Sequence, residues 1–196
     1  MKPCVRAFDP VAVGRAESAA WVAYYRRQWP AFLRAAVTMV AAGFGMGPVR
    51  TVLGAWYVLR ANQAWAPYPD NDPEAARRQM RRFYRLLLAS GWFGLDPERA
   101  AELEVEWWRV HRAHQHGAGE QADLVDALDA LYAHVYRVPP GTMRTAARLR
   151  AEAMDLSDAW VSAGCPPDEE MLAAERRTLV ASFTALRETV DRAVMS

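Results

Sequence analysis

Isoleucine is absent from this chain of 196 residues, and lysine occurs once, at Lys2. No stretch alternates apolar and polar residues with Val and Thr enrichment, so the sequence predicts no half-buried strand. Only two cysteines are present, Cys4 and Cys165, far apart and in no CxxC or finger-type spacing. That excludes a disulfide framework and makes a reducing cytoplasm the expected setting. The most apolar run, residues 35–49, is broken by Gly43, Gly45, Gly47 and Pro48. It falls short of the roughly 20 residues that a membrane span needs, so none is expected. The opening MKPCVRAFDP has no apolar signal core.

Several catalytic signatures are missing as well. HExxH and ExxH are absent, and with them the zinc-protease helix and the Glu-x-x-His pairs of di-iron bundles. No GxSxG presents a nucleophilic serine. The GFGMG of residues 43–47 is followed by a helix pattern but lacks GxGxxG, GK[ST] and a preceding strand, so no nucleotide loop is expected. No heme motif is present either. The net charge of +1 argues against a nucleic-acid binder, which normally carries a basic domain.

What remains is a globular composition, 52% apolar with eight tryptophans, in a length that suits one domain. The charges are unevenly placed. Residues 1–90 hold 13 basic and 5 acidic side chains, whereas residues 91–196 hold 11 and 18. Complementary packing of the two halves is the favoured reading, and an anion-attracting surface on the first half is the sharper one.

Apolar residues recurring at steps of three and four predict an all-α, single-domain bundle of about seven helices behind an extended N-terminal arm, residues 1–15. The helices are expected over 17–42 (bent at Pro30), 48–65, 73–90, 97–116, 120–137, 142–163 and 168–194. Gly43–Gly47, the APYPDNDP loop, Gly117–Gly119 and PPG at 139–141 separate them. In the loop Asp70-Asn71-Asp72 the carboxylates have no EF-hand spacing, and Asp72 is read as the cap of the next helix.

The helix over 97–116, PERAAELEVEWWRVHRAHQH, is the most informative. Asp96 caps it and Pro97 starts it. Ala100, Leu103, Trp107, Val110 and His114 form its buried stripe, with Glu104, Trp108 and His111 at the edge. Glu104 and His111, two turns apart, are a candidate acid/base pair. With His114 they are a candidate ligand set for iron, manganese or zinc, since carboxylate and imidazole suit these metals. The plainer reading is two locally hydrogen-bonded residues at a core margin. His114 and His116 also favour the negative end of the helix dipole without any function.

Asp158 shares a side with Met154, Val161 and Cys165, so its carboxylate is expected half-buried, beside an arginine. It joins Glu104 and His111 as a candidate catalytic residue. Arg144, Arg148, Glu152 and Asp155 instead read as a solvated, ion-paired face. Trp56, Tyr57 and Arg60, together with Trp107 and Trp108, mix aromatic and hydrogen-bonding groups as a ligand pocket does. An aromatic helix that fills the core is the plainer alternative. Arg77, Arg78, Arg81, Arg82 and Arg85 form a charged face that suits solvent or an acidic partner.

The strings WAPYPDNDPEAARRQMRRFY, LEVEWWRVHR and RAEAMDLSDAW, about a quarter of the chain, resemble an uncharacterised all-helical actinobacterial protein family. That resemblance implies a helical fold and supplies no catalytic residues. The helix count is also similar to the heme-oxygenase-like bundles, although the first helix has no histidine and the next two lack inward acids.

Two functions follow as expectations. The first is a small-molecule-binding bundle, an enzyme of oxidation or proton-transfer chemistry using Glu104 and His111, metal-dependent or metal-free. Arg60 and Asp158 would orient those groups. The second is a non-catalytic interaction protein that docks a partner, or a second copy in a homodimer, on the arginine face or the acidic half. The first expects Glu104 and His111 to converge on a cavity; the second expects a filled core and an exposed patch of tryptophan and arginine.

Overall fold

The computed structural model describes residues 8–167 and 169–195. Cys4, the first seven residues of the expected arm and Asp168 lie outside them. Among the described residues the chain forms eight helices and no strand: α1 Pro10–Tyr25, α2 Trp29–Phe44, α3 Pro48–Trp65, α4 Pro73–Ala89, α5 Pro97–Gln115, α6 Gln121–Tyr136, α7 Arg144–Ser162 and α8 Glu169–Met195. No helix is long and apolar enough to cross a membrane, among the described residues.

Local chemistry sets the boundaries. A proline occupies the first turn of each of α1 to α5, where no backbone N–H is needed. Asp9, Asp72 and Asp96 accept hydrogen bonds from the first free N–H groups of α1, α4 and α5. Glu120 and Asp123 form a reciprocal capping box on α6. The buried Asp129 reaches out of α6 and accepts from Gly141 N at 2.6 Å and Met143 N at 2.9 Å, which fixes the turn into α7.

Two boundaries differ from the sequence reading. The expected helix over 17–42 is two helices. Pro30 does more than bend it: Arg27 adopts a left-handed conformation, φ 56°, and the chain reverses there so that α2 packs on α1. The helix also begins earlier than expected, because Asp9 and Pro10 are a complete start signal. Residues 10–15 are therefore helical and do not belong to an extended arm.

Each helix packs on its neighbours in sequence, and α8 packs on α1, so the eight form a closed ring. The inward stripes largely follow the periodicity, except on α5, where His114 of the expected stripe is part-exposed and Trp108 of its expected edge is buried. Leu87 of α4, Leu124 and Leu128 of α6, and Leu179 and Leu186 of α8 are fully buried. The closure is tight. A Cβ added at Gly14 of α1 would lie 2.9 Å from the Cα, N and Cγ2 of Val180 on α8. Gly14→Ala should therefore separate the two helices and cost about 1–3 kcal/mol. The urea unfolding midpoint measures this; an unchanged midpoint would mean that the seam is not close-packed.

Candidate functional site

A ring of eight helices encloses an interior, and here that interior is divided in two. Trp107 and Trp108, side by side on the buried stripe of α5, line both a cavity of about 360 Å³ and a second of about 160 Å³. Trp21 of α1, Phe32 of α2 and Asn62 of α3 also face both, and complete the shared wall.

The outer, larger cavity lies between the C-terminal parts of α1, α3, α5 and α7. On its wall His111 of α5 meets Asp158 of α7, Nε2 to Oδ2 at 3.0 Å. Both side chains are largely buried, 14% and 20% exposed, so the pair is shielded from bulk water but within reach of the cavity. A carboxylate oxygen only accepts, so the contact places the imidazole proton on Nε2. Nδ1 has no hydrogen-bond partner among the described residues. Asp158 is held from its other side: Gln115 Nε2 donates to Oδ1 at 2.6 Å, and the Tyr25 hydroxyl lies 3.4 Å away. Gln115 also donates to the Tyr25 hydroxyl at 2.9 Å. Burial first, and then the Asp158 charge, push the Tyr25 phenol well above its ordinary value, so it stays protonated. Arg112 covers one side, its guanidinium 4.8 Å from the Trp65 ring and 5.4 Å from that of Tyr68.

The inner cavity is mostly apolar, and all eight helices contribute to its lining. Its polar groups are few and mostly paired, although Glu17 Oε2 and Arg150 Nε are buried with no hydrogen-bond partner. Glu104 accepts from the Tyr84 hydroxyl at 2.6 Å and from Trp107 Nε1 at 3.2 Å. Arg150 of α7 donates to Glu17 of α1 in a buried ion pair, and to the Tyr132 hydroxyl at 3.0 Å. Burial pushes the Glu17 carboxyl upward against the pull of Arg150. Burial alone would lower Arg150; Glu17, Tyr132 and Glu104 outweigh it and hold the guanidinium charged. Nearby, Glu175 of α8 accepts from the Ser18 hydroxyl at 2.7 Å, while its other oxygen has no partner. Burial raises this carboxyl to about 7.

The sequence-predicted residues divide accordingly. His111 and Asp158 come together, and the partner of Asp158 is a histidine where an arginine was expected. Glu104 lies beyond the tryptophan wall, so Glu104 and His111 face different cavities. His114 is taken up by Asp155 at 3.1 Å and the Gly119 carbonyl at 3.1 Å. Glu104, His111 and His114 are thus not brought into one ligand set. Among the described residues no group of three or more His, Cys, Asp or Glu side chains is placed to hold a metal ion. Trp107 and Trp108 line the cavities, but Trp56, Tyr57 and Arg60 do not. Trp56 is 47% exposed, with Arg60 stacked over it at 6.0 Å and hydrogen-bonded to Gln63. Tyr57 lies under Arg82 at 6.0 Å.

Sequence reasoning missed Tyr25, Gln115 and Arg112 in the outer cavity, and Glu17, Arg150 and Tyr132 in the inner one. A local signal existed for Gln115, which follows His111 by four residues and shares its face.

Two predictions test the buried charges. Arg150→Met alone leaves Glu17 buried without a counter-charge and should cost about 3–5 kcal/mol; adding Glu17→Gln should restore most of that. Chemical denaturation of both variants decides it, and an Arg150→Met protein as stable as wild type would show that the pair is solvated. The raised Glu175 carboxyl favours the folded state by holding a proton. That contribution is complete below its ordinary value of 4.5 and is lost as pH rises through about 7. Glu175→Gln should therefore remove part of the fall in thermal midpoint between about pH 5 and 8, and exceed wild type at pH 8 by on the order of 2 kcal/mol. Parallel pH profiles for the two proteins would contradict it.

Compared with family models, curated proteins and solved structures, the chain matches none, so neither resemblance carries over to the site and its chemistry rests on the chain's own residues.

Proposed function

We propose that this protein binds a small organic molecule in the outer cavity and transfers a proton to or from it, with His111 as general base and Asp158 as the residue that positions it. One observation carries the reading: the largely buried His111–Asp158 hydrogen bond on the wall of a cavity of about 360 Å³. A neutral imidazole whose Nε2–H is held by a carboxylate keeps its lone pair on Nδ1, the basic nitrogen that proton abstraction needs. Gln115 and Tyr25 restrain Asp158, so the ring is held from behind. The cavity size, and a lining that mixes aromatic rings with hydrogen-bonding side chains, suit a small organic ligand. Proton transfer is preferred to oxidation because this pair supplies the former from its own atoms. Glu104 takes no part, being turned to the inner cavity. A cytoplasmic setting goes with the reading, on the strength of the two cysteines.

The test uses carbon acids, small ketones and aryl-substituted carbonyl compounds, in deuterated water, with proton exchange followed by NMR. Wild type should accelerate exchange of at least one compound. His111→Gln should lower that rate by about 10²–10⁴-fold, and Asp158→Ala by less. Exchange that survives His111→Gln undiminished would overturn the assignment of the base.

A second reading, a non-catalytic interaction protein, is favoured by a different observation. Val49, Val52, Leu53 and Trp56 form an exposed apolar stripe along α3, next to Arg60. The arginine face of α4 supports it less, because Arg81 and Arg85 pair with Glu98, and Arg77 with Glu74, within the chain. On this reading Trp56→Arg would abolish a concentration-dependent rise in solution mass; on the first it would leave proton exchange unchanged.

A further inference from the structure

The outer cavity has an electrostatic polarity that the proton-transfer reading does not use. Among the described residues its wall carries one carboxylate, Asp158, and the oxygens of that group are already engaged by His111, Gln115 and Tyr25. Two arginines share the wall, Arg27 from the turn after α1 and Arg112 from α5. Neither has a carboxylate within ion-pair distance among the described residues.

Their guanidinium groups are positioned but not saturated. Arg112 donates Nη1 to the Trp65 carbonyl at 3.3 Å and Nη2 to the Tyr24 hydroxyl at 3.2 Å. Arg27 donates Nη2 to the Ala66 carbonyl at 2.9 Å. The two therefore grip adjacent carbonyls where α3 ends, with Tyr24 between them: the Arg27 guanidinium lies 5.5 Å from the Tyr24 ring. Arg27 also hydrogen-bonds the Tyr24 hydroxyl, so the two guanidinium groups share that oxygen and each keeps further N–H groups that these contacts leave over. Arginines that only capped a helix end would serve equally well facing solvent. These two, Arg112 half-buried and Arg27 exposed, line a cavity whose wall also carries the rings of Trp65, Trp107 and Trp108. The rings of Trp65 and Trp108 lie 5.9 Å apart and those of Trp107 and Trp108 6.0 Å apart, all on the cavity lining.

We infer that the outer cavity takes a small planar organic anion, its carboxylate held by Arg112 and Arg27 and its ring laid against the tryptophan wall, beside His111. The guanidinium fork matches a carboxylate in shape as well as charge. The indole rings, inclined at 55° and 88° to one another, offer both faces and edges to an aromatic or conjugated body. This inference rests on the proposed small-molecule site and names the class of molecule it receives.

The test is a series in which one ring carries three charges: 2-naphthylacetate, 2-naphthylacetamide and 2-(2-naphthyl)ethylamine. Binding is followed by two-dimensional proton–nitrogen NMR, with the indole N–H signals of Trp65, Trp107 and Trp108 reporting the cavity. The acetate should bind at least tenfold tighter than the amide, and the amine weakest of the three. Arg112→Gln should reduce acetate affinity about tenfold, close to the amide level, while amide affinity holds. Arg27→Asn, a side chain that tolerates the left-handed backbone at that position, should act in the same direction without disturbing the Trp65 stacking. An amide or amine that binds as tightly as the acetate, or an acetate affinity that survives both substitutions, overturns the anion inference and leaves the small-molecule site standing. Indole signals that none of the three compounds shifts overturn both.

Discussion

The guanidinium of Arg150 is where the ring of helices is tied together. It extends from α7, pairs with Glu17 on α1 and donates to Tyr132 on α6. It also lies 4.8 Å from the Trp107 ring on α5 and 6.0 Å from the Phe183 ring on α8. One charged side chain thus contacts four helices besides its own. A buried ion pair is a poor source of net stability, since desolvation offsets much of the attraction. Its value here is specificity. An apolar centre would accept many packings of eight similar amphipathic helices, whereas a guanidinium with a fixed set of acceptors accepts few. The tryptophan that Arg150 stacks on, Trp107, is one of the five side chains that wall off the outer cavity, so this cation also borders the proposed site.

The proposed site draws its central pair from α5 and α7, each packed on its own neighbours in the ring. His111, Arg112 and Gln115 occupy less than two turns of α5, and Asp158 faces them from α7. That arrangement puts the proton-bearing nitrogen of His111 toward protein and leaves the other nitrogen free. Asp158 is itself restrained by Gln115 and Tyr25, so the pair has a second layer of support. Proton transfer to a small molecule needs such an orientation more than it needs any exotic group.

Much of the fold could be read from the chain before any coordinate. Proline-initiated helices, the aspartate caps and the apolar stripes are local signals, and Met80, Phe83, Leu87, Leu124 and Leu128 all point where the spacing predicts. The break at Arg27 was hidden because a left-handed arginine has no compositional signature, so one bent helix was expected in place of two. For the site, the half-buried position of Asp158 was legible from the residues that share its side of α7. Its partner was not, because the choice between histidine and arginine is settled by which side chain of α5 reaches α7 across the ring. Glu17 and Arg150 were illegible for the same reason: they are 133 positions apart, and each looks like an ordinary surface charge in its own helix. Trp56 and Arg60 misled in the opposite direction. A dense run of aromatic and polar side chains reads as a pocket, yet here it lies on the outward side of α3.

The partition between the two cavities also sets a limit on molecular length. Trp21, Phe32, Asn62, Trp107 and Trp108 are side chains and not backbone, so the barrier between the spaces is made of groups that a single substitution can shorten. Trimming the indole of Trp21 or the ring of Phe32 would join the chambers into one continuous tunnel reaching toward the Glu17–Arg150 pair. On the proposed small-molecule reading, such a tunnel would suit an elongated guest with a polar group at each end, and the intact wall a compact one. In that sense the tryptophans act as a ruler, and a change in diet would call for editing the ruler long before the bundle around it.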